Sequence, residues 1–139
     1  MLLANSGHPV EAAQRFLEAK EHDQVGSEGW SKATAAAFDL LRREQCAEVA
    51  KPEWWNDQGL KALSARVVRA APNDVSANRM RAIVLSGQCS AWGVGPRSAA
   101  ELREAATCFE RSAALCGAPA GKAEFAGRAA DCRSRADAM

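Results

Sequence analysis

The residues of this chain that could carry chemistry are two histidines, five cysteines and one glycine-lysine segment. His8 and His22 lie on one helical pattern about four turns apart. They therefore do not converge on one metal ion, and a site would need cysteine ligands brought from elsewhere. Cys46, Cys89, Cys108, Cys116 and Cys132 are odd in number and hold no C-x-x-C pair. That pattern points away from a disulfide framework or a zinc knuckle and toward small core residues. Gly117-Ala118-Pro119-Ala120-Gly121-Lys122-Ala123 approaches a phosphate-binding loop, yet it has three residues where that loop has four, and no hydroxyl follows the lysine to hold magnesium. Glu44 and Glu48 read as helical neighbours in solvent. Cysteine–histidine catalysis would need a spatial neighbour that spacing does not supply. No catalytic residue, metal or cofactor is expected.

The remaining candidates would bind rather than react. Tryptophan is enriched in interface hot spots, which makes Trp54, Trp55 and Trp92 candidate partner-binding residues, together with Arg97 at the end of a glycine-rich loop; Trp92 is either tucked under that loop or presented to a partner. The spacing predicts a helix starting at Lys51-Pro52, on which Trp54 and Trp55 fall away from the Leu60, Leu63 and Val67 line. They must then pack on a different neighbour or face solvent. At least one of the three indoles should stay partly exposed in the isolated chain and be covered in a complex.

These side chains depend on a helical scaffold whose construction shows in the stretch from Leu60 to Gly87. Leu60, Leu63, Val67 and Ala71 recur at helical spacing, and so do Met80, Ile83, Val84 and Gly87. Pro72-Asn73-Asp74 divides the two runs, because proline cannot sit inside a helix and Asn or Asp caps the one that follows. An antiparallel hairpin with facing apolar stripes results. By the same reasoning helix one opens at His8-Pro9 and carries apolar lines on two sides, Val10-Ala13-Leu17 and Ala12-Phe16-Ala19. Ser27 caps helix two, which runs to about Ala50. Helix three runs from Lys51-Pro52 to Ala71 and helix four from about Asp74 to Ser86. Ser98-Ala99-Ala100-Glu101 is a capping box opening helix five, which Gly117 ends, and Pro119 starts helix six. Between helices four and five, Gly87 to Arg97 forms a loop longer than usual between packed helices, and such loops are often functional. Trp30, Phe38, Leu63, Val67, Ile83, Leu102, Phe109 and Phe125 are the expected core.

Composition sets the class. Alanine is abundant and tyrosine absent, which favours close-packed helices, so the fold class is all-α. Met1 to Gly59 holds 6 basic and 10 acidic residues, net −4, whereas Leu60 to Met139 holds 12 and 7, net +5. The asymmetry could orient a partner or a second copy, although scattered charges on solvated helix faces give the same count. With no apolar run of about 18 residues, membrane insertion is not expected. The start of the chain lacks the basic residues and apolar length of a signal peptide, so a soluble, intracellular protein is expected. Nucleic acid is not an expected partner. The chain reads as a single domain over 1–139 with an inserted loop at 87–97.

Several segments resemble the tetratricopeptide pattern of helical-repeat proteins. Ala12-x-x-x-Phe16 with Ala19 matches it, Trp30 then falls where the next repeat places an aromatic, and Ala105-x-x-x-Phe109 matches again. Pro72-Asn73-Asp74 looks like the turn between repeats, with Ala82 and Leu85 at the small and large positions that follow. Trp30 departs from the pattern in being followed by Ala33-Thr34 instead of Leu-Gly. From Asn78 to Ala105 the spacing exceeds the repeat by about eleven residues, the length of the loop at 87–97. The stretches PEWWNDQGLKALSARVVRAAPND and GPRSAAELREAATCFERSAALC also resemble helical-repeat proteins of algal genomes. The resemblance implies a right-handed α-solenoid-like array of about three antiparallel hairpins. The function expected of such an array is a non-enzymatic protein-binding or scaffold module, for example an accessory subunit of a larger assembly. The alternative is a small enzyme or ligand carrier with a pocket beside the 87–97 loop and Cys89.

Overall fold

Residues 8–139 are described by the computed structural model, and within them the chain forms six α-helices and no strand. They are α1 (Pro9–His22), α2 (Glu28–Leu41), α3 (Asp57–Ala70), α4 (Val75–Ser86), α5 (Ala99–Leu115) and α6 (Pro119–Asp137). Most starts follow local chemistry: Pro9 and Pro119 occupy first turns, where no amide hydrogen bond is lost, while Ser27 accepts from the Trp30 amide and Asp74 from the Ala77 amide. The Ser98–Glu101 box closes in both directions.

Contacts between helices set their directions. Ala12 and Ala13 at the start of α1 share an apolar cluster with Leu40 and Leu41 at the end of α2, so the two run antiparallel. Ser31 early in α2 donates to the Val67 carbonyl late in α3, 2.7 Å away. Arg103 and Asp137, and Glu110 and Arg133, pair the early part of α5 with the end of α6 and its later part with an earlier stretch of α6. Each helix thus packs against its sequence neighbours, and α2 also reaches α4. The main apolar cluster is built from α2 to α6 with Trp92 of the loop, and all eight expected core residues are buried. Asn78, fully buried, locks the Pro72-Asn73-Asp74 turn by donating to the carbonyls of Pro72 and Asp74, both at 2.9 Å.

Two boundaries differ from the sequence expectation, and a third, at Gly117, falls where expected with a different geometry. α2 stops at Leu41 rather than near Ala50, because no apolar residue follows until Cys46. A short 3₁₀ turn over Glu44–Cys46 carries that thiol into the interior, and the Lys51 ammonium binds the carbonyls of Cys46 and Val49 that the broken helix leaves open. α3 starts at Asp57, not Pro52: Asn56 accepts from the Gly59 amide at 2.7 Å, and Pro52 opens a turn in which its carbonyl accepts from the Trp55 amide. The chain doubles back so tightly here that a Cβ on Gly59 would lie 2.6 Å from the Trp54 carbonyl oxygen. α5 ends at Leu115 with Cys116 extended, and Gly117 does not adopt the left-handed conformation of a glycine cap.

The end helices also depart from expectation. Phe16 is 39% exposed and Ala19 is exposed, so the second apolar line of α1 is covered at Ala12 and open beyond it among the described residues. α6 presents the expected charged outer face, except that Arg135 turns inward and donates to the Ser86 carbonyl at the end of α4, 2.9 Å away. Phe109 sits at the centre of the main cluster, 6.3 Å from the Phe125 ring. Phe109→Ala should therefore cost about 3–5 kcal/mol in urea unfolding, and a loss below about 1 kcal/mol would show that α5 is not central.

Candidate functional site

Three of the four sequence candidates converge where the 87–97 loop meets the start of α3. Trp55 lies 5.6 Å from Phe38, 5.8 Å from Trp54 and 5.8 Å from Trp92, edge-on to the last. Its indole N–H donates to the Ala91 carbonyl at 3.0 Å, and that of Trp92 donates to Asp57 at 3.1 Å. Such ring pairs stabilise beyond their buried area, and the polar tips of Trp55 and Trp92 have partners. Trp54 spans the small α1–α2 cluster and the main core, with the Lys20 ammonium 5.9 Å from its ring.

Asp57 is the hub of this junction. Its two carboxylate oxygens receive Arg97 Nη2 at 2.6 Å, Arg97 Nη1 at 2.9 Å, the Trp92 indole at 3.1 Å and the Gly95 amide at 3.2 Å. Standing in the first turn of α3, it also meets the positive end of that helix. Arg97, whose side chain is 4% exposed, forks across Asp57 and reaches the Val84 carbonyl at 2.9 Å. A Cβ on Gly87, whose φ is 68°, would sit 2.9 Å from Arg97 Cγ, so both conformation and space call for glycine there. The Arg97 hydrogen bonds, aided by those of Trp92 and Gly95, outweigh burial and hold the Asp57 carboxyl well below the usual carboxylate range.

This geometry corrects the sequence reading of two residues. Arg97 and Trp92 are buried, and the Trp92 indole N–H and both terminal nitrogens of Arg97 are bonded within the chain, because Asp57 lies under the loop; Arg97 Nε is buried without a partner among the described residues. Neither lines a partner surface in this conformation. Trp54 and Trp55 remain half-buried, as expected of at least one indole, but by way of the turn ahead of α3 rather than the face of a helix. The glycine-lysine segment has a structural account as well: a Cβ on Gly121 would meet Cys116 Sγ at 2.7 Å, and Lys122 donates to the Ala113 carbonyl near the end of α5. Burial pushes the Cys108 thiol up to about 11 and raises that of Cys132, which leaves both as poor nucleophiles. Among the described residues, no three His, Cys, Asp or Glu side chains gather to hold a metal ion.

A second feature lies across α2, α4 and α6. Three open clefts share Arg42 and run from Lys51, Ser90 and Ala91, past Gln88 and Cys89, to Arg79, Glu124 and Arg128. The widest, about 490 Å³, includes Arg43 and Glu44. The cleft at the other end has an apolar floor of Ile83, Phe109 and Phe125. Asp39 is shared by three guanidiniums, with Arg42 at 2.9 Å, Arg43 at 3.2 Å and Arg79 at 3.5 Å. Burial would raise its carboxyl, but the charges of Arg79, Arg42 and Arg43 prevail and lower it. Arg128 is half-exposed and, among the described residues, pairs only with Glu124, 3.2 Å away on its own helix. Arginines that outnumber their carboxylates in a cleft are fork-shaped donors for carboxylate groups. The Arg42-Arg43 pair was visible in the sequence, but its convergence with Arg79 and Arg128 was not, since it depends on three helices.

No family model, curated protein or solved structure matches the chain.

The lowered carboxyl of Asp57 sets the sign of an acid effect. In the unfolded chain Asp57 titrates near about 3.9, so its contribution is complete above that pH and is lost as pH falls toward the lower folded value. Stability should decline as pH falls below about 4, and Asp57→Asn should flatten part of that decline while lowering stability at neutral pH. Asp39 and Glu101, shifted in the same direction, leave the variant a residual slope. Equal slopes in acid titrations of wild type and variant would contradict the assignment.

Proposed function

We propose that this chain is a non-enzymatic protein-binding module that presents the clefts across α2, α4 and α6 to a partner. The observation that supports this reading most directly is the set of open clefts that share Arg42 and extend over residues of α2, α4 and α6. The aromatic loop serves as a brace that holds α3 and α4 beneath that surface. Packing between sequence neighbours, together with the quoted tetratricopeptide-like residues, favours a helical-repeat scaffold of the kind that binds through an extended face. A ligand-carrying or catalytic pocket beside Cys89 gains little support, because the cleft there is open and its lining includes no histidine.

The test is to immobilise the chain, capture proteins from an extract of its source, and titrate each purified candidate by calorimetry. A partner that binds saturably at a fixed stoichiometry, with no chemical change in either protein, is the expected outcome. Retention of nothing beyond what an unrelated helical protein retains would contradict the reading.

A further inference from the structure

We infer that the arginine-lined groove takes an acidic segment of a partner protein that carries an apolar side chain between its carboxylates. The inference rests on the binding-module reading and adds the chemistry and the place. Five basic side chains line the adjoining clefts against two acidic ones, Glu44 and Glu124. Asp39 beneath them is one carboxylate divided among three guanidiniums. Each guanidinium has five N–H donors in a fixed fork, so one carboxylate leaves most of them facing water or open to a ligand. A partner carboxylate entering beside Arg42 or Arg128 would form charge-assisted bonds where the chain lacks its own acceptors.

The floor supplies the second half of the chemistry. Ile83 and Phe125, nearly buried, line the same cleft as Arg42, Arg79 and Arg128, so an extended segment with alternating acidic and apolar residues would lay an apolar side chain against their exposed edges and set carboxylates beside the arginines. Nucleic acid fits less well. Its phosphates call for a continuous basic track, whereas Glu44 and Glu124 interrupt this groove and the chain as a whole carries a net charge of only +1. Complementary charge would also speed association and make it salt-sensitive.

The probe is a fluorescent peptide of alternating glutamate and leucine, followed by anisotropy on the full chain. Its controls are the same peptide with lysine in place of glutamate and a single-stranded oligothymidylate. The acidic peptide should bind saturably and more weakly as salt rises, and the controls should not. Combining Arg42→Gln, Arg79→Gln and Arg128→Gln should weaken binding by at least about tenfold. Arg43 still pairs with Asp39 in that variant, and its melting temperature is measured alongside. Glu124→Gln should tighten binding, since it removes a rim carboxylate and frees Arg128, and no loss of folding can imitate a gain. The inference is overturned if the acidic peptide fails to bind, if the oligonucleotide binds better, or if Glu124→Gln leaves affinity unchanged or lower. A native partner held equally by wild type and the triple variant would overturn the groove assignment while leaving the binding-module reading intact.

Discussion

The ion pair between Asp57 and Arg97 is the constraint on which the middle of this molecule depends. One residue opens α3 and the other closes a loop that begins where α4 ends, so a bidentate contact at 2.6 and 2.9 Å fixes three elements at once. The same guanidinium takes the Val84 carbonyl, and the same carboxylate takes Trp92 and Gly95. A charge as deeply buried as Arg97 would cost several kcal/mol unpaired, and a buried pair adds less net stability than its attraction alone suggests. The four bonds to Asp57 tie this placement of the loop to the start of α3.

Around this lock the aromatic side chains find their places. Trp92 is drawn in by its bond to Asp57, Trp55 stacks against it and is anchored to Ala91, and Phe38 on α2 closes the set. The indoles therefore link α2 and α3 to the loop instead of standing on the surface. Apart from this aromatic set, the groove across α2, α4 and α6 gathers arginines around Asp39 and beside Ile83 and Phe125.

What the sequence disclosed and what it hid divide along the range of the interactions. The Pro72-Asn73-Asp74 turn, the Ser98–Glu101 box, the Ser27 cap and the prolines at Pro9 and Pro119 act over a few residues, and all are readable from residue type and order. The apolar periodicity likewise located Phe109, Leu102 and Val67 in the core. The start of α3 escaped because Pro52 is an equally good opening for a helix or a turn, and the choice is made by Asn56 and the close approach of Gly59 to Trp54. Arg97 read as a surface residue because its partner lies forty positions away on another helix. The grouping of Arg42, Arg79 and Arg128 has no local signature for the same reason.

A double-mutant cycle on Asp57→Asn and Arg97→Met, with unfolding free energies from urea titration at neutral pH, tests the central claim most directly. If the pair locks the loop, each single substitution destabilises, and the two together cost less than their sum by about 1–3 kcal/mol. Additivity to within about 0.5 kcal/mol would mean that the loop and α3 are held by other contacts and that the ion pair is incidental.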